Sequence, residues 1–317
     1  MGIPRLTTGV CPLGGIIVSK GFEVSFWKRL AYSDHFWAIV LLLPNLLGFL
    51  IFMLFPMLAS FGLSFVKWDL LTPMQWCGLG NYRELIADVT FRKVLWNTVY
   101  YTIGSVPIGI VIAFFLALAL NQKIPFVKTY RGIYFLPVIT SMVAVGIVWQ
   151  WIYNPEFGLV NYLLGLVGIQ GPTWLSSVKW AMPAVILVSI WKGLGFNMVL
   201  FLAGLQGIPE VYYEAAEIDG ASWLAKMWYI TIPLLSPTTL FVVIMSVIGS
   251  FQAFDLIYVM TRGGPARSTS VLVHYLYQCA FEYFKMGYAS AMAYILFFLV
   301  FLVTLIQLKG SQNWVVY

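Results

Sequence analysis

The sequence predicts an all-α membrane protein with six transmembrane helices, and three observations carry that expectation. Of its 317 residues, 61% are hydrophobic and only 9% are charged. Six apolar runs are each long enough to cross a bilayer. Between two of them lies a polar island, residues 205–235, patterned as a folded hairpin and not as a plain connector. Soluble domains carry about a quarter charged residues. At a mean hydropathy of +0.88, no polar surface could cover this much apolar side chain, so lipid is the solvent.

The first 35 residues mix apolar and basic character, with Arg5, Lys20, Lys28 and Arg29. Their apolar run, Gly14–Val18, is well short of the ~20 residues a span requires and lacks a cleavage pattern. The spans are expected at 37–64, 96–120, 132–153, 181–204, 236–260 and 288–308. The first contains Pro44 and Pro56, which membrane helices tolerate when neighbours re-satisfy the freed backbone groups. The second carries Ala113 and Ala117 at a spacing that lets helices approach closely. The fourth is interrupted by Lys192, Gly193, Gly195 and Asn197, and the fifth holds Gln252 and Asp255 near its end. Segments 65–95, 154–180 and 261–287 fall on one side of the membrane. The termini, loop 121–131 and the island fall on the other. Trp68, Trp76, Trp149, Trp151, Trp174 and Trp180 lie near span ends, where tryptophan anchors a helix in the interface.

Several functions are excluded. A net charge of +6 spread over this length is no nucleic-acid footprint. Cys11, Cys77 and Cys279 are far apart and odd in number, which fits neither a metal site nor a disulfide framework. His35 and His274 are the only histidines. There is no HExxH, no GxSxG and no pair of intramembrane aspartates, so no catalytic residue and no metal ligand is assigned. Without a P-loop the chain cannot hydrolyse ATP. No cofactor of its own is expected.

The island reads as two short helices. Pro209 suits a first helical turn, and Glu210 meets the positive end of the helix dipole. Val211, Ala215 and Ile218 share one face. Asp219-Gly220 is a stop, because glycine accepts the left-handed backbone that ends a helix. A second helix starts near Ala221-Ser222 and runs to about Ile230, with Pro233 ahead of the next span. A hairpin lying on the membrane surface would show a similar pattern.

Glu214-Ala215-Ala216, then Gly220, then Ile230 and Ile232-Pro233 resemble the EAA loop of ABC importer permeases, with Ile232 standing where that pattern usually has Leu. The residues around it resemble the carbohydrate-uptake branch, the maltose-type and glycerol-phosphate-type permeases. These are Leu202–Pro209, Gly78-Leu79-Gly80-Asn81-Tyr82, Gly158-Leu159-Val160-Asn161 with Trp174-Leu175, and Thr261-Arg262-Gly263-Gly264-Pro265 followed by Gly287-Tyr288. The resemblance covers roughly residues 36 to 309 and divides the chain into an N-terminal segment 1–35, a permease domain 36–309 and a tail 310–317. It implies a multi-pass subunit of a type I importer in a bacterial inner membrane, with both termini and the loop cytoplasmic. It also implies a second, homologous permease, two copies of a cytoplasmic ATPase that binds ATP and Mg, and an extracytoplasmic solute-binding protein. Glu214, Ala215, Ala216, Asp219, Gly220, Ile230 and Pro233 would then form the coupling surface for the ATPase.

Ionisable groups inside a span are costly and mark function. Lys192 and Asp255 are expected to face each other across the pore and pair. Ser189, Lys192 or Gly193, and Phe196 fall along one helical face, with Asn197 nearby. Ser246, Ser250 and Phe254 share a stripe beside Gln252 and Asp255. Hydroxyls and amides around an aromatic ring are what a sugar site needs. The bland reading has the serines bonding carbonyls of their own helix and Lys192 snorkelling to an interface. The expected cargo is a neutral glycoside, oligosaccharide or polyol, since Lys192 is the one cation found in the path and a phosphate would need more. An ion-coupled secondary transporter is the alternative, against which the absence of a visible repeat speaks.

Overall fold

The computed structural model describes residues 34–122 and 124–315. Residues 1–33, with Arg5, Cys11, Lys20, Lys28 and Arg29, and likewise Lys123, lie outside the described residues. The chain divides into two compact units between Leu58 and Ala59. In the first unit, α1 (Asp34–Phe49) continues through a π-helical stretch, Leu50–Leu54, into α2 (Phe55–Leu63), whose last residues belong to the second unit. No side chain from Trp37 to Leu58 is buried. A helix this apolar all round belongs in lipid.

The second unit is mostly helical, with one departure from the all-α expectation. A two-stranded antiparallel ribbon pairs β1 (Val66–Lys67) with β2 (Gln75–Trp76), in the register Val66 to Trp76 and Lys67 to Gln75. The Asp69 carboxylate organises the turn between them by accepting from the Thr72 amide at 2.7 Å and its hydroxyl at 2.7 Å. Then come α3 (Gly80–Ala87), α4 (Val89–Leu120), α5 (Val127–Ile139), α6 (Met142–Ile152), α7 (Leu159–Leu166) and α8 (Ala181–Gln206). The island supplies α9 (Glu210–Ile218), α10 (Trp223–Lys226) and, after a π-helical stretch, α11 (Ile232–Leu234). The chain ends with α12 (Ser236–Phe251), α13 (Asp255–Met260), α14 (Leu272–Tyr277) and α15 (Met286–Ser311).

Among the described residues, four helices are long and apolar enough to cross a membrane: Trp37–Leu63, α4, α8 and α15. Two bent pairs raise the number to six if each counts as one span: α5 with α6, at 98°, and Trp223–Leu234 with α12, at 63°. The expected single helix at 132–153 is therefore two. Pro137 removes a helical donor near the end of α5, the Thr140 hydroxyl turns back onto the Pro137 carbonyl at 2.6 Å, and Ser141 is extended. The expected span 236–260 stops at Phe251, and a new short helix starts at Asp255. The second span begins at Val89 and not at 96, because the Asp88 carboxylate caps it by accepting from the Thr90 amide at 2.7 Å. The expected interruption at Lys192–Asn197 is absent, and α8 runs through it unbroken.

Helix α4 threads every buried cluster of the unit. Val94 packs with Leu85, Leu272 and Met292, Tyr101 with Val185, Val188 and Ile257, and Val106 with Val247 and Phe251. Ala113 and Ala117 are fully buried against Met198 and Phe201 of α8. Their small side chains let the two helices approach, which is how helices without a hydrophobic driving force associate in lipid. Gly195 does the same where α5 crosses α8: a Cβ there would run into the Tyr134 carbonyl and lie 2.9 Å from the Phe135 Cα. Gly195→Val is expected to push α5 off α8 at a cost of about 1–3 kcal/mol. It should appear as a lowered thermal midpoint of the purified protein, whereas Gly193→Ala, where nothing lies within 4 Å of the added atom, should not lower it.

Candidate functional site

A cleft of about 360 Å³ opens between α4, α8, α12 and the residues that join α12 to α13. From α8 it takes Ser189, Lys192, Gly193, Phe196 and Asn197; from α12, Ser246 and Ser250; from the break after α12, Gln252; and from the start of α13, Asp255. All nine residues marked in the sequence thus line one space. Helical spacing explains it. Positions three and four apart share a face, so the stripe at 189, 192, 193, 196 and 197 turns together toward the stripe at 246 and 250.

Helix α4 adds the residues that the sequence reading missed, chiefly Tyr101 and Ser105. Tyr101 donates to the Ser189 hydroxyl at 2.6 Å, and Ser105 to the Tyr101 carbonyl at 2.6 Å. Thr102 and Ser250 share a hydrogen bond of 2.9 Å, and Ser250 also reaches its own helix at the Val247 carbonyl, 2.8 Å away. The Asn197 amide donates to Ser246 at 3.4 Å. The signal for α4 was present: Asn97, Thr98, Tyr101, Thr102 and Ser105 recur at helical spacing in an apolar run.

Lys192 does not pair with Asp255. The ion pairs found among the described residues are Lys226–Glu217 and Lys285–Glu84. The Lys192 ammonium instead donates to three backbone carbonyls at the end of α5, those of Pro137, Val138 (3.0 Å) and Thr140 (2.8 Å). The last carbonyls of a helix have no partners within it and carry the negative end of its dipole. A lysine from the neighbouring helix meets both needs. Asp255 is exposed and opens α13, where the positive end of a helix favours a carboxylate.

The island folds as the second feature. Asp219 caps α9, and Gly220 takes φ +73°. The Gly220 amide donates to the Glu217 carbonyl at 3.0 Å and the Ala221 amide to the Ala216 carbonyl at 2.8 Å, which is the Schellman arrangement. Ser222 caps the next helix by accepting from the Ala225 amide at 3.3 Å. Two ties fix the arms: Lys226 to Glu217 at 2.6 Å, and the Tyr213 and Thr231 hydroxyls at 3.0 Å. The hydrogen bond and charge of Lys226 hold the Glu217 carboxyl below its ordinary range. Glu214, Ala215, Asp219 and Gly220 are exposed and Ala216 is half-buried. Ile230 packs against the cluster around Leu205 and Leu235, and Pro233 sits in the first turn of α11. Ile218, 88% exposed, and Trp223, Leu224 and Trp228 add apolar surface to the hairpin.

The other sequence motifs prove to be ties between segments. Asn81 donates to the Ser64 and Val66 carbonyls at 2.9 and 3.0 Å. Trp174 donates to the Asn161 side chain at 2.6 Å, and Trp149 packs against Trp191 and Tyr153. Those two tryptophans are thus packing groups, while Trp76, Trp151 and Trp180 are exposed as interfacial anchors would be. A hub that the sequence did not reveal joins α4, α14 and α15: Asp88 accepts from the Tyr275 hydroxyl at 2.9 Å and the Tyr288 hydroxyl at 2.7 Å. Burial opposes ionisation of Asp88, but these two bonds and that from the Thr90 amide outweigh it and hold its carboxyl below the usual value of 3.8.

The profile of the family described as "Binding-protein-dependent transport system inner membrane component" matches residues 105–309. The chain is 39% identical over 306 residues to the "Probable ABC transporter permease protein YesP" of Bacillus subtilis (strain 168), covering 95% of this chain and 98% of that one. It is 35% identical over 299 residues to the arabinooligosaccharides transport system permease protein AraP of the same organism, covering 93% and 95%. It is 35% identical over 288 residues to the lactose transport system permease protein LacF of Rhizobium radiobacter, covering 89% and 95%. A chain of a bacterial ABC transporter involved in the import of the acidic polysaccharide alginate superposes with a TM-score of 0.79 at 25% identity, covering 90% of this chain and 98% of that one. The chain belongs to the binding-protein-dependent transport system inner-membrane components, in their carbohydrate-uptake branch, and has the type I ABC importer permease fold. It is a transport subunit, and ATP hydrolysis belongs to a separate ATPase. This sets aside the self-sufficient secondary transporter.

Two outcomes test the site's architecture. Lys192→Met strands the Val138 and Thr140 carbonyls, the Pro137 carbonyl keeping its bond from Thr140, and is expected to lower stability by about 1–3 kcal/mol, read as thermal unfolding in detergent, while Asp255→Asn should shift the midpoint far less. Because the Asp88 carboxyl is depressed in the folded state, its contribution is complete above the ordinary aspartate value and is lost as pH falls through the lower folded one. Asp88→Asn should therefore flatten the acid limb of a stability-against-pH curve and leave its alkaline limb unaltered.

Proposed function

We propose that the chain forms half of the pore of an ATP-driven importer for a neutral sugar-like solute, with the cleft as its part of the path. The observation that carries this reading is the lining: hydroxyls of Ser189, Ser246 and Tyr101, amides of Asn197 and Gln252, and the rings of Phe196 and Phe254 converge on one space. Directional donors and acceptors beside a flat apolar face suit a polyhydroxylated ring. The one cation in the lining, Lys192, is committed to backbone carbonyls, so the cleft offers no free ammonium to a phosphate or a uronate. Relatives whose names state a cargo move arabinooligosaccharides, lactose and sulfoquinovosyl glycerol, which supports a glycoside, oligosaccharide or polyol, and the neutral form is read from the lining alone.

In this reading each bent pair is one span, giving six with both termini cytoplasmic. A second, homologous permease completes the pore as a heterodimer, a solute-binding protein delivers cargo from outside, and two copies of the ATPase carry ATP and Mg. The 205–235 hairpin is the coupling surface. Its support is physical: a turn open on all sides at Gly220, acidic groups at Glu214 and Asp219, and two internal ties that keep the arms from yielding.

Affinity capture of the tagged protein from gently solubilised native membranes should bring down a P-loop ATPase and a second EAA-containing permease. Gly220→Asp, which forces a side chain into a left-handed position and a charge into the contact, should lose the ATPase. ATP-dependent uptake of the arabino- and malto-saccharide series should then fall at least about tenfold. Capture of the same ATPase by both forms would remove the hairpin from this role.

A further inference from the structure

One group of side chains is left over from the cleft. Phe254 lines it but also begins a run of rings leading away. Phe254 stacks on Tyr258 at 5.3 Å and 25°, one helical turn along α13. Both touch Tyr277 of α14, at 5.1 and 5.4 Å. Tyr277 in turn meets Phe281 at 5.3 Å, and Phe281 is 59% exposed. Phe254 stands just ahead of α13 and Tyr258 within it, while Tyr277 ends α14 and Phe281 lies in the π-helical stretch Gln278–Glu282 that continues it; the ring contacts join the two pairs. Beneath them, His274 is almost fully buried and bonded to Ser270 at 3.0 Å, which fixes the floor. A packed core would bury these rings. Here Phe254, Tyr258 and Tyr277 stay half-exposed.

Polar groups edge the stretch that follows α14. Arg267 donates to Gln278 at 3.1 Å and to the Tyr283 hydroxyl at 3.1 Å, and Gln278 donates to Glu282 at 3.1 Å. A lipid-facing aromatic patch would not carry an arginine, an amide and a carboxylate along its border.

We propose that Phe254, Tyr258, Tyr277 and Phe281 form a stacking lane for successive rings of a linear oligosaccharide, running from the surface at Phe281 into the cleft. The proposal rests on the carbohydrate reading above and narrows it, from sugars in general to chains of several rings. The C–H faces of sugar rings are apolar and lie flat on aromatic faces, while their rim hydroxyls reach polar neighbours. A lane of contiguous rings holds a chain without fixing its register, so the chain can advance ring by ring. A single-ring cargo would need only Phe254 and the cleft.

The test is uptake by the complete transporter, with its ATPase, partner permease and binding protein, of arabino- and malto-saccharides of graded length from one ring upward. Tyr277→Leu and Phe281→Leu are expected to raise the half-saturation concentration for chains of three or more rings about tenfold, with one-ring sugars changed less than twofold. Tyr277→Phe, which keeps the ring, should match the wild type. Equal losses at every length would reduce these rings to packing groups or to a seat for the partner permease, and would overturn the lane, as would no loss at any length. Uptake confined to one-ring sugars would overturn it while leaving the carbohydrate reading intact. Absence of ATP-dependent uptake for every saccharide in the wild type would take down both together.

Discussion

A backbone carbonyl in hydrocarbon has no water to turn to, and this requirement organises the centre of the molecule. It is met within each helix except where a helix stops, and α5 stops in the middle of an apolar run. The carbonyls at its end find the Lys192 ammonium, delivered by α8. The contact needs α8 close by, which Gly195 allows by carrying no Cβ. The 98° break set by Pro137, Thr140 and Ser141 is sustained by these contacts, and it leaves the cleft bordered by the start of α6 instead of by a straight helix. One cation and one glycine, three residues apart, thereby shape the space in which the polar side chains of α8 and α12 meet. The ammonium is spent on architecture, which is why the cleft presents hydroxyls and amides and leaves its carboxylate, Asp255, without a salt bridge to Lys192.

The stripe on α8 and α12 was legible because polar side chains are rare inside spans and helical spacing says which of them share a face. Gly220 was legible because a left-handed turn between two short amphipathic runs has few other solutions. The partner of Lys192 was not legible. A sequence displays side chains, and the acceptors here are carbonyls that every residue possesses; only the helix end at Ile139 leaves them free. The break itself was hidden for a related reason. Pro137, Thr140 and Ser141 are all tolerated within membrane helices, so an apolar run from 132 to 153 looks continuous. Asp88 was passed over because it lies outside the apolar run, although it decides where α4 begins.

The motifs that carried the family resemblance divide into two kinds. Gly78–Tyr82, Asn161 with Trp174, and Gly287-Tyr288 tie loops to helices through buried hydrogen bonds and close backbone contacts. The Glu214–Gly220 segment makes few such contacts and leaves its polar groups exposed. The first kind holds one rim of the molecule together, and the second leaves a surface unfilled. A resemblance read only as a string of letters does not separate these roles.

Helix α4 has 32 residues, roughly 48 Å of helix at a rise of 1.5 Å per residue, against a hydrocarbon layer of about 30 Å. The surplus emerges at the end that carries Arg92 and Lys93, whose charges belong at the headgroups. The rim built around Asp88 therefore stands clear of the acyl chains. Changes in bilayer thickness fall on the tilt of α4 and its neighbours, while the hydrogen bonds that gather α4, α14 and α15 at Asp88 lie beyond the apolar stretch that has to adjust.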